Sequence, residues 1–388
     1  MALLTKDEMF AQYDWARPLR EKDAFHRGED GVLRALRFAE TRQILLDHEH
    51  FSNSPDGETG NDTGTPLPYS DPPRHRHLRS LAATAFTRQR IVEMEVKVVE
   101  MMTKLLDKVA DQGEMDVVAD LASPLPTLVI ADLLNIEPDR RDDFRRWTDA
   151  AFIIAGPMAG KDMDEIPEET FQAFGALYTF FDEIAEDRRR NPGDDLVTAL
   201  TVAEINGERL AGQEVLDFCA MLLMAGSLST AHLLANMMLC VVHHPGVLDT
   251  VRARPQVVPT LVEEVLRYFS PAPNSTPRIA KVRTTVAGQV IEAGEKVIPV
   301  VGSAHRDERV FADPDRFDIE RDPNPHMGFG QGIHFCLGAP LARMEASLML
   351  TMTAERFPGA WTIPDMKFEV NPSPSFWAPP VLPMTFSQ

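Results

Sequence analysis

Residues 329–338 read Phe-Gly-Gln-Gly-Ile-His-Phe-Cys-Leu-Gly, and residues 339–350 then continue in the pattern of a helix. The stretch therefore puts Cys336 in a glycine-rich loop immediately before a helix. Gly330, Gly332 and Gly338 allow positive φ angles and a close approach of the backbone to a flat ligand. The unpaired N–H groups and the positive end of the helix favour thiolate over thiol. A thiolate held in this way suits a soft or borderline metal, whereas an inert buried thiol is the alternative for a lone cysteine.

The loop resembles the haem-ligand signature of the cytochrome P-450 family, the haem-thiolate monooxygenases, in which a cysteine binds the haem iron. Further family marks extend the resemblance from about Val32 to the C-terminus. It implies a mainly α, triangular single domain over residues 1–388, with small β-sheets. It also implies haem b (iron protoporphyrin) buried between the family's long I helix and the cysteine loop. The matching positions are Phe329, Gly330, Gly332, His334, Cys336 (the metal ligand) and Gly338.

Composition narrows the class of protein. Hydrophobic residues make up 44% of the 388, enough for a large core. The formal net charge of −20 argues against nucleic acid or an anionic membrane surface as the main partner. Cys219, Cys240 and Cys336 cannot all pair, which fits a reducing compartment. The first residues lack the apolar run of a signal peptide or membrane anchor, so we expect a soluble cytoplasmic protein.

One segment has the composition of a membrane span. Residues 219–242 contain no Asp, Glu, Lys or Arg. Serine, threonine, histidine and asparagine interrupt the segment, and basic flanks are missing. A helix over residues 213–244, roughly 48 Å long, through the centre of a large globule is the better interpretation.

Other helical and strand patterns alternate with two long connections. Asp71 precedes two prolines and is predicted to cap a helix. Loops are predicted at 54–70 and around 156–167, where such length indicates function or disorder. The remaining helices are predicted at 40–48, 88–111, 139–155, 168–190 and 257–269, and the strands at 32–38, within 278–301 and within 376–386.

Four residues are candidates for binding the haem propionates. His75 and Arg79 are four apart on the helix after Asp71, so they share a face and could hold an anion. A solvated basic face is the alternative, since residues 74, 76 and 77 are also basic. The resemblance implies that His75, Arg79, Arg278 and His334 bind the two propionates.

Glu264 and Arg267 match the family's Glu-x-x-Arg pair. From spacing alone they are an ordinary surface pair. The resemblance implies instead a buried pair joined by Arg316, with a structural role.

The stretch Ala225-Gly-Ser-Leu-Ser-Thr230 resembles the distal I-helix motif of the family, but Leu228 occupies the position of its usual acid and Ser229 that of its threonine. Ala225 and Gly226 are predicted to let the helix pass close to the cofactor. Ser229 and Thr230 are the candidates for proton delivery. Three routes could compensate for the missing acid at Leu228: serine or threonine hydroxyls with water, a substrate hydroxyl, or peroxide as the natural oxidant. The alternative is that Leu228 only packs in the helix core and has no functional consequence.

The resemblance implies a monooxygenase that uses O₂ and electrons from a ferredoxin-type donor with its NAD(P)H reductase. Arg343 or the basic residues at 74–79 are candidates for docking that donor. The substrate is expected to be a small organic, largely apolar molecule. Alternatives are a peroxide-driven oxygenase, a thiolate-haem reductase of a small nitrogen oxide, or a non-catalytic haem gas sensor. The pocket is expected to be lined by residues 54–70, 151–170, 223–230, 271–277 and 375–377.

Overall fold

The structure is a computed structural model that describes residues 2–55, 57, 65–155, 166–193, 195–202, 204–205, 208–210, 212–370 and 376–387. The α-helices are α1 Lys6–Phe10, α2 Arg17–Lys22, α3 Phe38–Leu46, α4 Arg74–Ala83, α5 Arg88–Val109, α6 Pro124–Leu133, α7 Arg141–Ala155, α8 Glu168–Arg190, α9 Leu196–Val202, α10 Gly212–His243, α11 Val247–Ala253, α12 Val258–Tyr268, α13 Val301–Ala304 and α14 Ala339–Arg356. The strands are β1 Ala2–Leu4, β2 Phe25–Arg27, β3 Leu33–Ala35, β4 Phe51–Ser52, β5 Glu114–Asp116, β6 Glu204–Ile205, β7 Glu208–Arg209, β8 Arg278–Ala280, β9 Thr284–Val286, β10 Gln289–Ile291, β11 Lys296–Pro299, β12 Trp361–Thr362, β13 Phe368–Val370 and β14 Pro383–Phe386.

Helix α10 is the central element of the fold. Its alanine, leucine and methionine content favours a helix, and it packs against α6, α8, α12 and α14. Leu234, Met237 and Leu239 have no exposed surface. This helix is long and apolar enough to cross a membrane, yet 56% of its most apolar window is buried inside the protein. The packing agrees with the predicted core helix.

Helices α5 and α14 form a layer next to α10. On α5 the buried residues Met94, Val98, Met101 and Leu105 recur every three or four positions, and this face packs on α14. Helix α14 also contacts α12 and α10, and it begins directly after the cysteine loop. The loop is therefore attached to a helix that belongs to the main core.

A five-stranded sheet in the order β2-β3-β11-β8-β4 carries the second, smaller core. Strand β11 runs parallel to β3 and antiparallel to β8. The turn between β9 and β10 has φ angles of 48° at Ala287 and 84° at Gly288, as in the favoured two-residue hairpins. The sheet positions β8, and with it Arg278, beside the start of α4.

The predicted helices 88–111, 139–155, 168–190, 213–244 and 257–269 each lie within two residues of an observed helix. Helix α6 was not predicted, because it is buried on nearly every side and has no polar face to give a period. The strand predicted at 32–38 is shorter, since Phe38 already begins α3 and donates its N–H to Asp307 Oδ2 (2.9 Å). The assignment of residues 1–388 to one domain stays a prediction.

The predicted cap at Asp71 is wrong. Helix α4 begins at Arg74, and the buried carboxylate of Asp71 lies 3.1 Å from Lys281 Nζ instead. Asp71 Oδ1 also accepts from the backbone N–H of Asn53. The residue therefore joins α4 to the sheet.

Candidate cofactor and active site

Two backbone hydrogen bonds shape the cysteine loop. The N–H of Gly330 donates to Met327 O and the N–H of Cys336 donates to Phe329 O, each at 2.8 Å. Gly330 and Gly332 have φ angles of 72° and 71°, as predicted, and a Cβ on Gly332 would lie 3.0 Å from the carbonyl oxygen of Leu45. The loop therefore requires glycine at both positions.

The positive φ angle predicted at Gly338 is wrong, whereas the predicted close approach to a flat ligand stays a prediction. It caps α14 with a φ of −81°, so it needs no positive φ angle. A Cβ placed on it would meet no atom within 4 Å, so the space beside the loop is open on this side.

The Cys336 side chain is exposed, yet burial raises the pKa of its thiol. Both observations hold for a sulfur that faces an internal space walled by protein. The N–H groups of Gly338 and Ala339 and the charges of Arg79 and Arg343 lower the pKa, as the sequence led us to expect, but burial outweighs them. A metal ion bound in place of the proton would reverse this balance, because a coordinating thiol is deprotonated outright.

The four predicted propionate-binding side chains lie together. The rings of His75 on α4 and His334 in the cysteine loop have their centroids 4.4 Å apart. Both ring nitrogens of His75 are buried, and neither has a hydrogen-bond partner in the part of the chain that the structure describes. Arg79 makes no hydrogen bond or ion pair within the described chain, and Arg278 donates only to the carbonyl oxygen of Thr276, at 2.6 Å.

The electrostatics of this cluster call for an anion. Burial, and then the charge of Arg79, lowers the pKa of His75 to about 4. Burial, followed by His75, Arg278 and Arg79, lowers the pKa of His334 to about 2. Burial lowers the pKa of Arg278 to about 10. The partnerless nitrogens of His75, next to the cationic side chains of Arg79 and Arg278, fit a group that carries two carboxylates.

One face of α10 opens onto internal space. Ala225 is exposed although it lies in the middle of the central helix, and Leu228 and Ser229 are half-buried. The hydroxyl of Ser229 donates to Ala225 O at 2.7 Å, the back-bonding that bends helices. Thr230 is buried, and so is Ser227, whose Oγ has no partner. Of the two predicted proton-delivery residues, Ser229 is the accessible one.

The structure gives Gly226 another role than the predicted one. A Cβ on Gly226 would lie 2.5 Å from Ile130 Cδ1 on α6. The glycine therefore permits close packing of α10 on α6, and Ala225 is the small residue on the open face.

Part of the predicted pocket lies outside the described residues, namely 56, 58–64, 156–165 and 375. The segments after α12 and before β14 meet at α10 as expected. The N–H of Trp377 donates to Pro271 O at 2.9 Å, and Asn236 Nδ2 donates to the carbonyl oxygens of Trp377 (2.9 Å) and Phe269 (3.0 Å). Asn236 was missed by sequence reasoning. The signal that could have found Asn236 is its spacing of seven residues from Ser229, which predicts the same face of the helix.

The Glu264–Arg267 pair is fully buried, with two hydrogen bonds of 2.8 Å. The prediction that Arg316 is the third member of this cluster is wrong. The Arg316 side chain is exposed beside Asp318, and only its carbonyl oxygen accepts from Arg267. Arg321 Nε instead lies 3.2 Å from both carboxylate oxygens of Glu264. The cluster ties α12 to the segment that leads into the cysteine loop.

Comparisons of the sequence and of the fold with known proteins give one consistent result. The family model described as cytochrome P450 matches residues 38–256 and 253–380. The chain is 37% identical over 360 residues to the putative cytochrome P450 YjiB of Bacillus subtilis, covering 91% of this chain and 89% of the relative. It is 34% identical to the steroid C26-monooxygenase of Mycobacterium tuberculosis, covering 92% and 88%. Among solved structures, CYP109E1 of Bacillus megaterium in complex with corticosterone has a TM-score of 0.87 and 34% identity, covering 98% and 99%.

Proposed function

The chain belongs to the cytochrome P450 family of oxidoreductases, and from this premise we propose that it inserts one atom of O₂ into a small, largely apolar organic molecule. The electrons come from a separate ferredoxin-type protein and its NAD(P)H reductase. For a hydroxylation the balance is RH + O₂ + NAD(P)H + H⁺ → ROH + H₂O + NAD(P)⁺. The observation that carries the proposal is the accessible Cys336 close to the cluster of His75, Arg79, Arg278 and His334, in which Arg278 alone has a hydrogen-bond partner within the described chain, the carbonyl oxygen of Thr276.

These residues fit haem b. Cys336 would bind the iron, and His75, Arg79, Arg278 and His334 would hold the propionates by charge-assisted hydrogen bonds. The small side chain of Ala225 would leave room for the flat ring beside α10. In the cysteine loop, the ring of Phe329 packs against the guanidinium of Arg343. When bound, haem with a thiolate ligand supplies the reductive activation of O₂.

The chain's own contribution to proton delivery centres on Ser229. Because its hydroxyl proton is directed to Ala225 O, the oxygen lone pairs are left to accept from a water or a substrate hydroxyl in the internal space. Leu228 supplies no proton from the position of the family's usual acid. Ser229 would therefore hold a water that carries protons, with Thr230 as the buried neighbour.

The electron donor would dock on the face around Cys336. Two of the predicted docking cations are already paired: Arg343 bonds Glu263 at 2.6 and 2.8 Å, and Arg74 bonds Glu214 at 2.6 Å. Arg76 is exposed, and so is Phe335, next to the metal ligand. An acidic partner would meet Arg76 at the rim and Phe335 nearer the centre. Arg76→Glu should slow reduction of the haem without weakening substrate binding; weaker substrate binding at an unchanged reduction rate would exclude this docking surface.

Membership of the family, together with Ala225 and Leu228 on the open face of α10, favours substrates such as steroids, terpenoids or fatty acyl chains. The relatives named for steroid oxidation and the corticosterone complex support this range. Because α10 is a core helix in contact with α6, α8, α12 and α14, we propose that the protein is soluble and works in the cytoplasm.

The test is turnover with ¹⁸O₂. Haem-loaded protein, a ferredoxin, its reductase and NAD(P)H should give a product that carries one labelled oxygen atom. A labelled product formed only from H₂¹⁸O₂, and not from the reductase system, would instead establish peroxide use. Leu228 favours this second candidate, because peroxide brings its own protons.

A further inference from the structure

His232 is a polar residue on the open face of α10 that the functions above do not use. It follows Ser229 by three residues and Ala225 by seven, so the three side chains share one face of the helix. Its neighbours Leu233, Leu234 and Ala235 are at most 1% exposed, whereas His232 is half-buried. Its accessible surface therefore faces the same internal space as Ala225.

The two ring nitrogens of His232 have different surroundings. Nδ1 is buried by protein and has no hydrogen-bond partner among the described residues. Nε2 also bonds no protein group within the described chain, but it is not sealed. The ring of Phe376 contacts the imidazole edge to face, with centroids 5.9 Å apart. The imidazole thus presents one nitrogen without a protein partner to the internal space, on the same helix face as Ser229.

Stability alone does not account for an imidazole here. A buried polar atom without a hydrogen-bond partner destabilises the folded state, and a phenylalanine or leucine would fill the same volume without that cost. Burial alone lowers the pKa of His232 to about 4, with no contribution from a charged neighbour. The ring is therefore neutral at pH 7 and offers either one N–H or one lone pair at Nε2.

From this geometry we propose that His232 hydrogen-bonds an uncharged oxygen of the substrate, a hydroxyl, ketone or amide carbonyl, and so selects oxygenated molecules over plain hydrocarbons. The proposal rests on the monooxygenase function above and narrows its substrate class. A carboxylate is a poorer fit, because α10 carries no lysine or arginine between Cys219 and Val242 to compensate its buried charge.

A proton relay through His232, in place of the acid missing at Leu228, agrees less well with the structure. A neutral imidazole passes a proton on only if its second nitrogen can be reprotonated. Nδ1 has no hydrogen-bond donor or acceptor next to it among the described residues, so a proton could enter or leave the ring only at Nε2. One accessible nitrogen is what recognition of a bound group requires.

The test compares His232→Phe and His232→Gln with wild type by calorimetric binding to haem-loaded protein. The probes are matched pairs that differ by one oxygen, such as testosterone and 17-deoxytestosterone or geraniol and its deoxy hydrocarbon; pairs are screened on wild type until one member binds with a micromolar Kd. Wild type should bind the oxygenated member at least about tenfold more tightly. His232→Phe should remove this preference and leave the Kd of the deoxy member within about twofold, while His232→Gln retains part of it.

His244→Gln is the matched control, since His244 lies just past α10 with its Nδ1 bonded to Cys240 O (2.9 Å), and it should keep the wild-type preference. An undiminished preference in His232→Phe, or no preference in the wild type for any bound pair, would overturn the proposal. A loss of product coupling in His232→Phe with unchanged Kd values would mean a relay instead. The absorption spectrum of the reduced, carbon-monoxide-treated variants separates this result from failure of the proposed function, because it tests the haem-thiolate centre without substrate.

Discussion

Glu345 on α14 carries a carboxyl group that forms no hydrogen bond or ion pair with the described residues. The residue is 2% exposed, and its Oε2 is buried without a partner among them. Burial raises the pKa of Glu345 from 4.5 to about 8, so the carboxyl is neutral in the folded protein at pH 7. In the unfolded chain the same group is ionised at that pH. We therefore expect Glu345→Gln, which is neutral in both states, to remove a pH-dependent cost from folding.

The sign and the size follow from proton linkage. Between pH 4.5 and 7 the unfolded state binds fewer protons than the folded state, so the free energy of unfolding falls as pH rises. The slope approaches about 1.4 kcal/mol per pH unit, which gives about 3 kcal/mol over about 2.5 units. The stability of Glu345→Gln relative to wild type should increase by this amount from pH 4.5 to pH 7.

The assay is urea unfolding of haem-loaded protein, followed by tryptophan fluorescence at several pH values. Taking the difference between variant and wild type at each pH cancels the contribution of haem release. Glu355→Gln is the matched control, because Glu355 lies exposed on the same helix, and its difference from wild type should stay constant. A Glu345→Gln difference that is equally flat between pH 4.5 and 7 would refute the reasoning and indicate a carboxylate ionised in the fold.

Three further predictions concern the cofactor side of the protein. Glu264→Gln removes the charge that pairs with the buried Arg267 and should destabilise the fold by about 3–5 kcal/mol. Glu263→Gln is the control in the same unfolding assay and should cost clearly less, because Glu263 is partly exposed. His75→Phe should speed haem loss to apomyoglobin by about tenfold or more through loss of a charge-assisted bond, whereas His77→Phe on the same helix should not; equal rates would remove His75 from the haem site. Leu228→Glu should raise the fraction of NAD(P)H electrons recovered as product, and unchanged coupling would make the acid position irrelevant in this chain.

What the sequence could predict was local. The cysteine loop, the glycines at 330 and 332, and the long helices depend on residues close together in the chain, and the structure has them where they were expected. The approach of His75 to His334 was also expected, but only from the resemblance to a known family. No spacing rule joins residues so far apart in the chain.

The failures came where a third element decides the role of a residue. Arg316 and Arg321 both precede the cysteine loop, and the path of the backbone between them determines which guanidinium reaches Glu264. Gly226 is required because Ile130 of α6 lies against it, which the α10 sequence does not reveal. The exposure of Ala225 and His232 likewise depends on where the neighbouring helices leave α10 uncovered.

The most direct test of the central claim is the absorption spectrum of the haem-loaded protein after reduction and treatment with carbon monoxide. Wild type should give the red-shifted band of sulfur bound opposite the gas. Cys336→His should still bind haem through the unaltered His75, Arg79, Arg278 and His334 but lose that band. A red-shifted band that persists in Cys336→His, or its absence from intact wild type, would contradict the assignment of Cys336 as the iron ligand.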